Sequence, residues 1–231
     1  MSRDPLAAIR GALGLTGQVE PPHTGAGWSG DDSWDVAVKR LRAAGCVAPE
    51  DEATELVRLA RDRATLDAWL ARREQGEPVE WITGQVEFCG RTIRVDPEVY
   101  VPRPQSQELV YRAAGLLGTG AAGAAAGAVA DLCTGTGAVA RALMAECPRA
   151  SVVGVENDSR AASCARKNGV PVVVGDLAEP LAPRSLDLIT AVAPYVPTGH
   201  LPYLPRDVTR YEPLTALDGG TEGLSVVRRI V

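Results

Sequence analysis

The chain has 231 residues, 45% of them hydrophobic, with 24 basic against 29 acidic side chains and a formal net charge of −5. That length accommodates one sizeable core and a small accessory domain, and an acidic balance without a polybasic run argues against an electrostatic nucleic-acid surface. The longest uncharged stretch, residues 113–130, is too rich in glycine and alanine for a membrane span and reads as a flexible linker or crossover.

Five cysteines, Cys46, Cys89, Cys133, Cys147 and Cys164, form an odd, widely spaced set without a CxxC pair. They suit neither a zinc site nor a disulfide framework, so no metal is expected. The N-terminus lacks a basic region followed by an apolar one and a small-residue cleavage site, which implies a cytoplasmic protein with reduced thiols.

In chain order, "DPLAAIRGALGL" is a short helix that Asp4 can cap, with Pro5 at its first helical position. The Gly/Pro-rich "TGQVEPPHTGAGWSGDD" is a long loop that carries His23. Asp32 or Ser33 is expected to cap a helix that runs to about Ala44, with Trp34, Val38 and Leu41 on one face and Gly45 as its stop. Residues 49–74 read as one amphipathic helix, with Leu56, Leu59, Arg63, Leu66 and Leu70 near one face. Such helices bury their stripes only against each other, which predicts a small helical domain over residues 1–77.

The pattern changes at Pro78. "EWITGQVEFCGRTIRVDPEVY" has strand-length apolar segments around Gly84 and Gly90, suited to a hairpin bridging two domains. With the Pro-Arg-Pro linker it fills residues 78–104, and a helix should begin near Gln105. From there to residue 231, strand-loop-helix alternation predicts a Rossmann-like α/β domain. "AVADLC", "ASVVGVE", "VPVVVGD" and "SLDLITAV" are its parallel strands, with "AVARALMAEC" and "SRAASCARKNG" as helices between them.

In an open parallel sheet, ligands bind beyond the carboxyl ends of the strands. "DLCTGTG" puts Gly135 and Gly137 there, where missing side chains let a ligand approach the backbone; a plain tight turn is the alternative. Glu156 ends the second strand about twenty residues further on, where a carboxylate can accept both hydroxyls of a ribose, or else simply be a solvated loop acid. Asp176 closes the third strand and could accept from an adenine amino group. GxGxxG and GxxxxGK[ST] are both absent, which disfavours NAD and ATP and favours a sulfonium-bearing nucleoside. In "VAPYVP", Pro194 and Pro197 remove donors and leave carbonyls free for a substrate, while Tyr195 can lay its ring on a planar group. An ordinary loop is again the alternative.

Together these residues resemble the protein-(glutamine-N5) methyltransferases that modify the Gly-Gly-Gln glutamine of peptide-chain release factors. "PVEWITGQVEFCG" is similar to that family's interdomain hairpin and "VPRP" to its Ile-Pro-Arg-Pro signature. "DLCTGTGAVA" is similar to its cofactor loop, "VVGVENDSRAASCARKN" to the next strand and helix, and "EPLTALDGGTEGLSVVRRI" to its post-catalytic segment. The resemblance implies a class I S-adenosylmethionine-dependent methyltransferase core behind the helical front domain, which would help select a protein partner. It implies that Asp131, Gly135 and Gly137 surround the methionine part of S-adenosyl-L-methionine, Glu156 its ribose and Asp176 or Leu177 its adenine. Cys133, Thr134 and Asn157 would also bind the cofactor. Arg103 and Pro104 would line the approach between domains, and the catalytic segment would be Val192, Ala193, Pro194 and Tyr195.

That segment departs from the family's Asn-Pro-Pro-Tyr. In the family, the Asn side-chain oxygen and the next residue's carbonyl accept the two amide hydrogens of the target glutamine; Val192 has no acceptor. One unmade buried hydrogen bond costs about 1–3 kcal/mol, roughly one to two decades in rate. The family's Pro-Glu-Thr-Glu is here Pro104, Gln105, Ser106 and Gln107. The chain also stops at Val231, short of the family's remaining strands, so the core is expected to be C-terminally incomplete: either a fragment, or a sheet that self-associates through its open edge.

The expected function is therefore S-adenosylmethionine-dependent N-methyl transfer to a glutamine amide of a release-factor-like protein, or to a small-molecule acceptor. The product would be S-adenosyl-L-homocysteine, with no direct nucleic-acid or membrane role. The alternative is a non-catalytic binding protein that keeps the fold. His23 and His200 are expected at the surface, and residues 201–211, with Tyr203, Arg206 and Arg210, form either a flap over the acceptor channel or a solvated loop.

Overall fold

A computed structural model of the protein describes residues 30–119 and 127–231. The chain forms two compact units, Met1–Gln75 and Gly76–Val231. The expected helix at "DPLAAIRGALGL" and the loop with His23 lie outside the described residues.

In the first unit, α1 (Gly30–Ala43), α2 (Pro49–Leu59) and α3 (Arg63–Glu74) pack together. Ala37, Leu41, Ala53, Leu56, Val57, Leu66 and Leu70 are fully buried between them. The Trp34 indole donates to the Thr54 hydroxyl at 3.0 Å, and the buried Arg73 grips Glu52 through two hydrogen bonds of 2.6 and 3.0 Å. Two expectations are corrected here. The first helix begins at Gly30, so Asp32 and Ser33 lie inside it, and Ser33 is buried. Residues 49–74 are two helices: the chain turns extended at Ala60 (ψ 127°), and the Asp62 carboxylate accepts from the Thr65 N–H at 2.7 Å as a new N-cap. Leu59 is only half-buried and Arg63 exposed, so the single face read across the break does not exist.

The second unit opens with α4 (Val79–Thr83), closed by Gly84 at φ 77°. The apolar residues before Gly84 are thus a helical turn that buries Trp81 and Ile82, and not a strand. Next come β1 (Gln85–Phe88) and β2 (Arg91–Arg94), paired antiparallel. They are joined through Cys89 (φ 49°) and Gly90 (φ 66°), the left-handed pair that a two-residue hairpin turn requires. A 3-10 turn (Pro104–Ser106) precedes α5 (Gln107–Thr119), so the helix starts two residues later than expected, and residues 113–119 are helix where a linker was expected.

Four parallel strands follow: β3 (Ala128–Leu132), β4 (Ser151–Glu156), β5 (Val172–Val174) and β6 (Leu188–Ala191), with α6 (Ala138–Glu146) and α7 (Ser159–Lys167) as crossovers. Their order in the sheet is β5-β4-β3-β6. Val129 of β3 packs with Ala140 and Leu143 of α6 in one buried cluster, and Ala130 and Leu132 pack with Val155 and Leu177 in another. This is the expected Rossmann-like α/β arrangement. The chain walks outward from β3 to β5, then returns to the far side of β3 as β6. That reversal opens a crevice at the carboxyl ends of β3 and β6, the place where such sheets bind ligands.

Beyond β6, residues 201–211 are largely helical rather than an irregular loop. They form the end of a 3-10 turn (Thr198–Tyr203) and α8 (Arg206–Tyr211), and the Tyr211 ring packs edge-on against Trp81 at 6.0 Å. The chain ends in α9 (Val227–Ile230). Among the described residues, no helix is long and apolar enough to cross a membrane.

Candidate active site

The site grows from the end of β3. Asp131 is 1% exposed, and its carboxylate accepts from the Thr134 hydroxyl at 2.6 Å and the Thr190 hydroxyl at 2.7 Å. Burial pushes its pKa up to about 6 against those two hydrogen bonds. Asp131 thus ties the loop and β6 to the central strand.

Cys133 (φ 54°) and Gly135 (φ 57°) turn the chain into the loop. The Gly135 N–H donates to Glu156 Oε2 at 2.8 Å, while Glu156 Oε1 accepts from the N–H groups of Asn157 at 2.9 Å and Asp158 at 3.1 Å. Three main-chain donors therefore fix this carboxylate before any ligand arrives. A Cβ on Gly135 would meet no atom within 4 Å, so the loop is open on that side. Gly137 serves packing instead: its Cβ would lie 2.9 Å from Val170 Cγ2 and 3.0 Å from Ala165 Cβ, and it lines neither cavity of the site.

Two cavities meet here. The larger, of about 130 Å³, lies beyond β4 and β5 and is bounded by Glu156, Asn157, Asp176, Leu177, Pro194 and Arg229 among others. The smaller, of about 40 Å³, is bounded by Asp131, Thr134, Thr136, Arg103 and Phe88 among others. Tyr100, Cys133, Gly135 and Val192 line both. Burial above all, with the nearby Glu156 and Asp131 charges, pushes the Cys133 thiol up to about 12, so it is neutral at physiological pH. The Thr136 hydroxyl is buried and has no hydrogen-bond partner among the described residues.

The remaining expected residues fall as follows. Leu177 is buried and Asn157 exposed at the rim of the larger cavity. Asp176 Oδ2 already accepts from Arg229 Nη2 at 2.7 Å, so any adenine amino group would share it with a guanidinium. Val192 is half-buried against the sheet core, Pro194 is buried in the larger cavity wall, and Tyr195 is 62% exposed. Ala193 is buried and lines neither cavity; its carbonyl accepts no hydrogen bond among the described residues. The Pro197 carbonyl is not free as expected, because it accepts from the His200 N–H at 2.7 Å. His200 is exposed. Pro104 and Gln105 are exposed and line neither cavity.

Sequence reasoning missed three contributors. Tyr100 stands at the junction of the cavities. Glu212, 5% exposed, pairs with Arg103, and burial pushes its pKa up to about 7 despite that partner. Gly154 lets the loop seat on β4, since its Cβ would lie 2.8 Å from Thr134 Cγ2. Only Glu212 carried a signal, as the acid opening "EPLTALDGG".

The geometry fits a nucleoside with a short polar tail: a pre-fixed carboxylate for a sugar in the larger cavity, and an orphaned hydroxyl with an open glycine in the smaller one. Residues 106–199 match the family described as Methyltransferase small domain. The chain is 39% identical over 168 residues to the release factor glutamine methyltransferase of Geobacter sulfurreducens, covering 70% of this chain and 57% of that protein. It is 34% identical over 218 residues to that of Moorella thermoacetica, covering 83% of this chain and 75% of the relative. It is also 35% identical over 221 residues to the 4-amino-L-phenylalanine/4-methylamino-L-phenylalanine methyltransferase of Streptomyces pristinaespiralis, covering 92% and 73% respectively. The match thus spans less than two thirds of the Geobacter protein's length.

Proposed function

This chain belongs to the release factor glutamine methyltransferase family, and from that premise we propose that it is an S-adenosyl-L-methionine-dependent N-methyltransferase of the kind that acts on a glutamine side-chain amide of a release-factor-like protein. One observation carries the reading. The Glu156 carboxylate is held by the N–H groups of Gly135, Asn157 and Asp158 at the mouth of a cavity that continues to Val192.

In this reading Glu156 keeps acceptor capacity for the ribose hydroxyls, since three donors leave part of its lone-pair set free. Asp176 and Leu177 border the adenine, and the Thr136 hydroxyl and the loop main chain meet the methionine tail. The bound cofactor supplies a methyl group already activated by its sulfonium, leaving S-adenosyl-L-homocysteine. The chain's own work is positioning: the Ala193 carbonyl takes one N–H of the acceptor, and the Tyr195 ring covers its plane. Residues 1–77 would select the partner. Calorimetric titration with S-adenosylmethionine and S-adenosylhomocysteine tests the cofactor. Absence of heat from both, with the protein shown to be folded, removes the reading. Mass spectrometry of a Gly-Gly-Gln peptide incubated with labelled cofactor tests the acceptor.

A second acceptor class, an amine in place of an amide, is favoured by Val192, which withdraws one of the two amide hydrogen acceptors. A relative named as a methyltransferase of 4-amino-L-phenylalanine and 4-methylamino-L-phenylalanine, matching 92% of this chain, supports it. A non-catalytic binding role is not favoured, because the relatives compared above all carry methyltransferase names.

A further inference from the structure

With the sugar in the larger cavity and the methionine tail in the smaller, the sulfur that joins them belongs at the junction lined by Tyr100, Cys133, Gly135 and Val192. That sulfur is cationic before methyl transfer and neutral after it. The charge of the junction therefore decides whether the site tells the methyl donor from its spent product.

The Cys133 thiol senses that charge. Burial raises its pKa most, followed by the charges of Glu156, Asp131 and Asp176, with Arg229 opposing. Three carboxylates thus act on the junction and favour a cation there. The Tyr100 ring adds the negative face of its π system. Arg103 works against them: its guanidinium lies 5.1 Å over the Tyr100 ring and lines the smaller cavity. Uncompensated, it would repel a sulfonium. Its compensation is Glu212, which is buried, pairs with Arg103 and lines neither cavity. Glu212 Oε2 has no hydrogen-bond partner among the described residues. A buried ion pair with an unpartnered oxygen adds little stability, so what the site gains from Glu212 is its charge.

Resting on the methyltransferase reading above, we propose that Glu212 is a positioning residue that neutralises Arg103 behind the Tyr100 ring and so makes the junction select a cationic sulfur over a neutral one. The three carboxylates and the ring hold the donor. The product loses that attraction with its charge, while Arg103 stays beside the tail without repelling the reacting centre.

The test titrates the full chain calorimetrically with S-adenosylmethionine and S-adenosylhomocysteine and takes the ratio of their dissociation constants. Glu212→Gln keeps the side chain's size and removes its charge. At about pH 8 it should weaken S-adenosylmethionine about tenfold and change S-adenosylhomocysteine by less than about twofold. Adding Arg103→Gln to it removes both charges and should restore the wild-type ratio, whereas a merely structural role would weaken both ligands alike. In the wild type the preference for S-adenosylmethionine should fall as pH drops through about 7, where Glu212, among Arg103, Glu80 and Asp207, takes up a proton. The variant's profile isolates this from Asp131, whose pKa is about 6. If Glu212→Gln does not fold, Tyr100→Leu decides, with S-adenosylmethionine expected to lose more affinity than S-adenosylhomocysteine. Equal shifts for the two ligands, or an unchanged ratio, overturn the proposal. Heat from both ligands with no change of ratio sinks this inference alone, while no heat from either sinks the methyltransferase reading with it.

Discussion

The guanidinium of Arg103 lies 5.1 Å over the ring of Tyr100 and is paired with the carboxylate of Glu212, 109 residues further along the chain. The pair links the Pro-Arg-Pro segment to the stretch after α8, and through Tyr100 it reaches the junction of the two cavities.

Glu212 should make stability depend on pH. Burial raises its pKa from the ordinary 4.5 to about 7, so the folded chain holds this proton more tightly than the unfolded one. Its contribution is full below pH 4.5 and is lost as pH rises through about 7. Denaturant unfolding between pH 5 and 8 should therefore show falling stability. Glu212→Gln should flatten that slope by about 2 kcal/mol, leaving the smaller slope of the same sign from Asp131.

Gly137→Ala should destabilise the fold by about 1–3 kcal/mol. The residue sits at φ 80°, and an added methyl would press on Val170 and Ala165. Chemical denaturation measures the loss. Cofactor affinity, measured on the folded fraction, should stay within about twofold of the wild type, because the strain lies behind the loop and away from its open face.

Glu156→Gln should act on both binding and stability. The new amide group would face N–H donors that now meet oxygen, at a stability cost of about 1–3 kcal/mol. S-adenosylhomocysteine affinity should drop at least about tenfold. Calorimetry showing unchanged affinity would remove Glu156 from the sugar site.

Thr136→Val separates a ligand role from a structural one. The hydroxyl is buried without a partner, so its replacement by a methyl of similar size should leave stability unchanged or slightly raised. Cofactor affinity should fall about three- to tenfold if the tail completes that hydroxyl's hydrogen bonding. Unfolding curves and titrations on the same sample give both readings.

Local signals are legible in the sequence where they act over a few residues. The apolar runs at Ala128–Leu132 and Ser151–Glu156, the Gly-rich turn, and the acid at the tip of β4 follow from periodicity and from the conformations only glycine adopts freely. The break at Ala60 is hidden in the sequence because the helical stripe runs through it, while the Asp62 carboxylate accepts from the Thr65 N–H and starts α3 anew. Similarly, the sequence suggests Gly137 as an opening for a ligand, whereas its missing side chain makes room for Ala165 of α7 and for Val170.

The order of residues by itself determined most of the strands and helices of the second unit and the unusual Val192, since each depends on side chains that are neighbours in the chain. Only the tertiary structure decided that Glu212 pairs with Arg103, that Thr134 seats on Gly154, and that the Pro197 carbonyl is already taken. Those facts depend on which distant segments share a few ångströms of space, and burial in that space sets the charge of Glu212 and Asp131. No local pattern encodes that distance.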